Sequence, residues 1–211
     1  MPSTVKKGDA PAVRRPRLST RERDVRRLEQ TLGPLPEAVA APVLVVLTGL
    51  PGSGKSHLAR ELSRRHPLAV LNSDALRAAL FPHPQHSDQE NARLFPATHV
   101  ALDRLLARGV SAALDATNLR EAHRRPLYQL AGKRGARLLV VQVTAPEGVA
   151  KKRLRRRRRG ETPWDISEAG PEVYDKMRAE VEPVRRPHIT VDTSKDIGPA
   201  LDKILAALQA I

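Results

Sequence analysis

The 211-residue chain contains no cysteine. That excludes a disulfide frame, a thiol nucleophile and a thiolate metal site, and it suits a reducing compartment, so a cytoplasmic location is expected. Aromatic residues are nearly as scarce, with two Phe, two Tyr and one Trp. Single-strand nucleic-acid binders usually offer stacking platforms, so this scarcity argues against a tight polynucleotide groove. Long apolar runs are missing as well. The longest, around residues 39–50, is interrupted by Pro42 and is too short to span a bilayer. Residues 1–7 lead into polar sequence rather than an apolar signal core, so a soluble chain with no membrane partner is expected. His83 and His86 flank prolines with no acid at ligand spacing, which argues against a zinc site.

Acid is the minority charge, with 23 Asp and Glu against 37 Lys and Arg. Of the net +14, residues 1–42 carry +4 and residues 151–159 carry +8, which leaves the body nearly neutral. The basicity is thus two patches rather than a global signature. Arg-rich, Lys-poor usage also fits a GC-biased genome, so the local clusters carry more weight than the total.

What is present is more specific. Residues Gly49, Leu50, Pro51, Gly52, Ser53, Gly54, Lys55 and Ser56 form a complete G-x-x-x-x-G-K-S phosphate-binding loop. The run before it, Val43 to Thr48, is apolar and β-branched, as a buried parallel strand should be. The run after it has Leu58 and Leu62 four apart among good helix formers. Strand, glycine loop and helix is the order this chemistry needs. Glycines let backbone N–H groups converge on phosphate oxygens at a helix N-terminus. Lys55 then reaches the β- and γ-phosphates, and the Ser56 hydroxyl ligates Mg²⁺. ATP and Mg²⁺ are the expected partners.

Residues 1–18 are rich in Pro, Lys and Arg with little apolar periodicity, and read as disordered. A short helix over 20–32 is expected, carrying Val25, Leu28 and Leu32, followed by a stiff connector through Pro34, Pro36 and Pro42. Residues 1–42 are therefore expected to be a basic extension, and 43–211 the folded domain. Within that domain, strands are predicted at 43–48, 68–71, 110–115, 137–143 and 189–192. Helices are predicted to Arg65, through Arg77 to Phe81, from a capping box at Ser87–Glu90 to Gly109 with a kink at Pro96, and over 120–133, 146–160, 171–181 and 197–208. A loop is expected around Trp164. Such alternation predicts an α/β fold with a parallel five-stranded sheet and helices on both faces. Ligands bind such sheets at the strands' carboxyl ends, which gathers Asp74, Asp115, Thr144 and Asp192 at the rim of the glycine loop.

The use of the triphosphate must be read elsewhere. A GTPase would need an Asn/Thr-Lys-x-Asp segment, and none is present. A mechanical ATPase would normally end a strand in Asp-Glu, whereas here the strand reads Leu114-Asp115-Ala116. After the second strand comes Asp74-Ala75-Leu76-Arg77, an acid and an arginine on one helical turn. Asp74 can accept a proton from an acceptor hydroxyl while Arg77 holds an anionic group. An N-cap aspartate beside a surface arginine is the alternative.

Gly49 to Ser56, Asn72 to Arg77, Leu114 to Leu119 with His123-Arg124-Arg125, and Lys152-Arg153-Leu154 with the arginines after it resemble, in that order, P-loop kinases of the polynucleotide-kinase and zeta-toxin-like group. The resemblance covers about residues 43–195. It implies a P-loop kinase-like fold with an Arg-rich helical lid at about 146–170. It also implies ATP-dependent phosphotransfer to a hydroxyl, with Asp74 as general base, Arg77 as substrate- or phosphate-contacting arginine, and Asp115 beside Mg²⁺ and the loop. Arg153 and one of Arg157 or Arg159 match the lid's catalytic arginines, with Arg157 preferred. At helical spacing Arg155 to Arg159 cannot all face inward. The remainder are either a solvated face or, with the basic tail, a contact for nucleic acid.

The acceptor stays open at this stage. A polynucleotide 5′-hydroxyl fits the resemblance and the basic patches, and stands slightly ahead of any single small molecule. A sugar, nucleoside or antibiotic hydroxyl fits the neutral body and the few aromatics. A third reading, of a different class, is an ATP-binding, nucleic-acid-associated regulatory protein without phosphotransfer.

Overall fold

All six residues of Val43–Thr48 are buried, which explains why this strand carries no polar alternation. In the computed structural model, which describes residues 18–161 and 169–209, it is the centre of the sheet. The elements in chain order are α1 (Thr20–Gln30), β1 (Val43–Thr48), α2 (Lys55–Arg65), β2 (Ala69–Asn72), α3 (Ser73–Leu80), α4 (Asp88–Ala107), β3 (Ala112–Asp115), α5 (Glu121–Lys133), β4 (Arg137–Thr144), α6 (Glu147–Arg158), α7 (Pro171–Arg178), β5 (His188–Asp192) and α8 (Gly198–Gln209). The expected disorder of the tail and the loop around Trp164 fall on residues outside those described, except for Leu18.

The sheet order is β2-β3-β1-β4-β5 and every pairing is parallel. Parallel neighbours need crossover helices, and the period of two along β1 sends its side chains to two cores. Leu44 and Val46 pack with residues of α1, α3, α4 and α5. Val43, Val45 and Leu47 pack with Leu58 and Leu62 of α2 and with Leu201, Ile204 and Leu208 of α8. Helices therefore cover both faces, as the alternating pattern predicts, and the fold is the P-loop kinase-like α/β sheet. Among the described residues no helix is long and apolar enough to cross a membrane.

The N-terminal extension is where expectation and structure differ. Its helix does form, with Ser19 as N-cap, but it is built into the domain. Val25 and Leu28 are 0% exposed and belong to the same core as β1 and α4. Asp24 is buried and accepts two 2.6 Å bonds from Nε and Nη2 of Arg93. Arg104 pairs with Glu22 at 2.7 Å and with Glu29 at 3.3 Å. Arg93 also lies over the Phe81 ring, 5.3 Å from its centroid. From Thr20 onward, α1 is thus part of the folded unit, and the boundary at residue 42 does not describe it.

Candidate active site

The sheet's carboxyl edge is assembled by register. Asn72 pairs with Asp115 across β2 and β3, so an amide and a carboxylate end adjacent strands side by side. The phosphate-loop residues follow β1 directly. Gly49 donates its N–H to the Thr117 carbonyl (3.0 Å), which ties the loop's entry to the turn after β3. The loop closes on itself through Ser53 N–H to the Leu50 carbonyl (3.1 Å), and Lys55 Nζ donates to the same oxygen (3.0 Å). Gly54 is the N-cap of α2 in the left-handed region, at φ 94°.

The glycines are required by what surrounds them. A Cβ on Gly52 would lie 2.6 Å from the Ala150 carbonyl of α6, and one on Gly54 would lie 2.8 Å from Thr193 Oγ1. Thr193 cannot yield easily, because its hydroxyl donates to the Ser53 carbonyl (2.6 Å) and accepts from Arg153 Nη1 (2.8 Å). Gly54→Ala therefore combines a disfavoured φ with a clash, and should weaken ATP-analogue binding about tenfold or more. Calorimetric titration with AMPPNP reads this directly.

Asp115 is 3% exposed and accepts from Asn72 Nδ2 at 2.6 Å. Burial pushes its carboxyl up, against the opposing pull of the Lys55 charge and of hydrogen bonds from Ser56 and Asn72. Asn72 Nδ2 also stands 3.4 Å from the Ser56 hydroxyl. A hydroxyl and a carboxylate, bridged by one amide, make a donor set suited to Mg²⁺, which takes few protein ligands and keeps water and phosphate oxygens. No group of three or more His, Asp or Glu with metal-binding geometry occurs among the described residues. Asn72, given no role of its own by the sequence, links the Asp115 carboxylate to the Ser56 hydroxyl. Its Oδ1 also caps α3 by accepting from Asp74 N (3.1 Å) and Ala75 N (2.9 Å). The signal was its place as the polar residue before Ser73-Asp74 at a strand-to-helix junction.

One cavity of about 930 Å³ collects most of these groups. Lys55, Ser56, Asp74, Asp115, Arg153 and Arg157 all line it. Asp74 sits on the first turn of α3, half-buried, as its motif predicts. Arg153 faces the cavity but is already engaged, through Nη1 to the Gly52 carbonyl (3.2 Å) and Nη2 to the Thr193 carbonyl (2.8 Å). Desolvation lowers its pKa, against the attraction of Asp192. It staples α6 to the phosphate loop and to the residue after β5.

One expectation is corrected. Arg77 does not line the cavity. It is 5% exposed and points into the domain, with Nη1 on Glu90 Oε2 (2.9 Å) and Nη2 on Asn91 Oδ1 (2.6 Å). The long side chain crosses to the start of α4, so sharing a helical turn with Asp74 does not bring the two together. Thr144 and Asp192 stand side by side at the carboxyl ends of β4 and β5, at the expected rim, but are not among the residues that line the cavity. The Thr144 hydroxyl donates to the Val191 carbonyl (3.3 Å), and Asp192 caps the turn at Ser194, whose donors hold its carboxyl below the usual range. Thr193, unremarked in the sequence, lines the cavity in their place. The arginine run divides as helical spacing requires. Arg156 and Arg157 line the cavity, while Arg155, Arg158 and Arg159 are exposed. Glu161 pairs with Arg156 (2.9 Å) and Arg159 (2.7 Å), so part of this patch is internally neutralised.

The AAA domain family profile matches residues 44–184. A UPF0200 protein of Aeropyrum pernix is 33% identical over 139 residues, covering 60% of this chain and 71% of that protein. Among solved structures, Chaetomium thermophilum Kti12 in complex with ADP-AlF3 aligns with a TM-score of 0.63 at 23% identity, over 79% of this chain and 100% of that one. The Mycobacterium tuberculosis APS kinase CysC in complex with AMPPNP and APS aligns with a TM-score of 0.56 at 22% identity, over 84% and 100%. At these identities the structures share the fold.

Proposed function

The chain belongs to the AAA domain family, and within it we propose an ATP- and Mg²⁺-dependent kinase that transfers the γ-phosphate to a hydroxyl of an acceptor held in the cavity. The observation that carries this reading is Asp74, a carboxylate lining the same cavity as Lys55, Ser56 and Asp115. A hydroxyl nucleophile needs a proton acceptor beside it, because its proton must leave as the new P–O bond forms, and the Asp-Glu strand end that serves a mechanical ATPase is absent from Leu114-Asp115-Ala116. Likeness to APS kinase supports phosphotransfer, and likeness to Kti12 with ADP-AlF3 supports nucleotide binding.

Residue roles follow from position. Lys55 exchanges its bond with the Leu50 carbonyl for phosphate oxygens. The Ser56 hydroxyl and the Asp115 carboxylate would hold Mg²⁺, which would neutralise phosphate charge. Asp74 takes the acceptor proton as the acceptor oxygen bonds to the γ-phosphorus and the bond to the ADP oxygen breaks. Arg157, with Arg156 beside it, offsets charge on the transferring group. Arg77 is left out of this set, because Glu90 and Asn91 hold it inside the domain.

The cavity favours a compact acceptor. Its volume lies near the top of the range for small-molecule sites, leaving room beside a nucleotide. No Phe, Tyr or Trp is among the described residues that line it, which gives little support to a groove for stacked bases. Exposed Arg155, Arg158 and Arg159 favour a second reading, a polynucleotide 5′-hydroxyl, whose apparent affinity would fall steeply with salt. The test is γ-labelled ATP with glycerol, D-ribose, adenosine and a 5′-hydroxyl pentanucleotide in separate reactions. Label is expected on one of the three small molecules. Label on the pentanucleotide alone favours the second reading, and label on none of them counts against phosphotransfer.

A further inference from the structure

The cavity wall formed by Pro84, Gln85 and His86 has no assigned role, yet it is held with unusual care. Glu90, 8% exposed at the start of α4, gathers three donors. Gln85 N–H donates to its Oε1 (2.8 Å), while His86 N–H (2.9 Å) and Arg77 Nη1 (2.9 Å) donate to its Oε2. Its own backbone N–H is capped by the Ser87 hydroxyl (3.3 Å). Only half of the expected capping box therefore forms, because the Glu90 carboxylate turns away from the Ser87 N–H to hold the preceding loop. His86 sits at φ 52°, a conformation that a non-glycine residue keeps only where its surroundings impose it. Burial opposes the charge on Glu90, but the two amides and Arg77 outweigh it and keep the carboxyl below its ordinary range.

Arg77 completes the device. Its Nη2 reaches Asn91, and its Nε is buried without a hydrogen-bond partner among the described residues. That is a cation spent on one carboxylate and one amide rather than offered to a ligand. The helix that presents Asp74 is thereby tied to the loop that lines the other part of the cavity.

We propose that the Arg77–Glu90 pair is a positioning device that fixes loop 84–86 as the acceptor-recognising wall, where Gln85 and His86 read the hydroxyl groups of a neutral polyhydroxy acceptor. This rests on the kinase reading. The chemistry suits such an acceptor: the Gln85 amide both donates and accepts hydrogen bonds, and the His86 ring offers two nitrogens to hydroxyl groups. Arg77 is thus a positioning residue. Asp74 takes the proton and the loop selects whose proton it is.

The test uses the full chain and its Glu90→Gln and His86→Ala variants. Three measurements are made: amide hydrogen exchange at residues 85 and 86, calorimetric binding of AMPPNP with Mg²⁺, and steady-state kinetics with glycerol, D-ribose and adenosine. In Glu90→Gln, exchange at Gln85 and His86 should accelerate about tenfold, the factor expected when a bond to a charged acceptor is weakened. AMPPNP affinity should stay near wild type, and acceptor KM should rise about tenfold with kcat changed far less. His86→Ala alters an exposed side chain and should fold normally. It should raise acceptor KM without changing AMPPNP binding or exchange at residue 85. Unchanged exchange in Glu90→Gln overturns the positioning device. Faster exchange with unchanged KM in both variants overturns the loop's role in recognition. A wild-type protein that binds AMPPNP but phosphorylates none of the three probes overturns the assigned acceptor class. If it also fails on the 5′-hydroxyl pentanucleotide, the kinase reading itself falls, a result distinct from either loop outcome.

Discussion

Asp74→Asn should lower turnover by about 10²- to 10⁴-fold while leaving ATP binding near wild type, the range by which a positioned base accelerates proton removal. The substitution is nearly isosteric and removes only the ability to take a proton. Helix α3 should not suffer, because its cap comes from Asn72 Oδ1 to the backbone N–H groups of Asp74 and Ala75, and does not involve the Asp74 side chain. The nucleotide should not leave either, since its expected holders are the loop, Lys55 and Ser56. Single-turnover phosphotransfer to whichever hydroxyl the labelled-ATP assay identifies, set beside calorimetric AMPPNP binding, separates the two effects. An Asn variant with full activity removes Asp74 from the mechanism. One that loses AMPPNP binding makes it part of the nucleotide site instead.

How much of this was legible in the sequence depends on the range of the interaction concerned. The phosphate loop is local chemistry, and Gly49 to Ser56 adopt the expected strand-loop-helix arrangement. All five strands fall where apolar runs predicted them, with ends shifted by at most two residues. The third shows why. A run beginning at Val110 reads as strand, yet Val110 N–H turns back to the Leu105 carbonyl and closes α4. Ser111 then accepts from Val43 N–H through its hydroxyl and from Ala69 N–H through its carbonyl, so the ladder begins at Ala112. Such choices are made by partners far along the chain. The same holds for α1, whose periodicity was readable but whose docking depends on Asp24–Arg93 and Glu22–Arg104. Arg77 is the sharpest case. Spacing placed it beside Asp74, but a buried guanidinium goes to the carboxylate that can desolvate with it, and Glu90 stands thirteen residues away.

Arg124→Met should destabilise the protein by several kcal/mol, at about 1–3 kcal/mol for each buried carbonyl left without its donor. Arg124 is 0% exposed, although the sequence offered it only as one of three basic residues in the His123-Arg124-Arg125 segment of the family resemblance. All its donors are used. Nε donates to Glu121 (3.1 Å), Nη1 to the carbonyls of Asn118 (3.0 Å) and Leu119 (2.7 Å), and Nη2 to those of Glu182 (3.2 Å) and Pro183 (2.9 Å). Glu121 is half-exposed and can turn to water, but the Asn118 and Leu119 carbonyls face a buried cavity if the guanidinium goes. Lysine should rescue only partly, since it brings three donors from a single point where five are needed in a planar fork. The loss should also reach the phosphate loop. Asn118 holds a left-handed turn at φ 44°, its Nδ2 donates to the Leu47 carbonyl (2.8 Å), and the Thr48 hydroxyl donates to the carbonyls of Thr117 (3.2 Å) and Asn118 (3.0 Å). Gly49 N–H hangs on that same Thr117 carbonyl. Loosening this turn frees the entry to the loop, so AMPPNP should bind more weakly to Arg124→Met even at temperatures where the variant is folded. Urea unfolding gives the stability change and calorimetry the affinity. Stability within about 1 kcal/mol of wild type would mean that solvent reaches those carbonyls, and that the turn is fixed by Asn118 and Thr48 without the arginine.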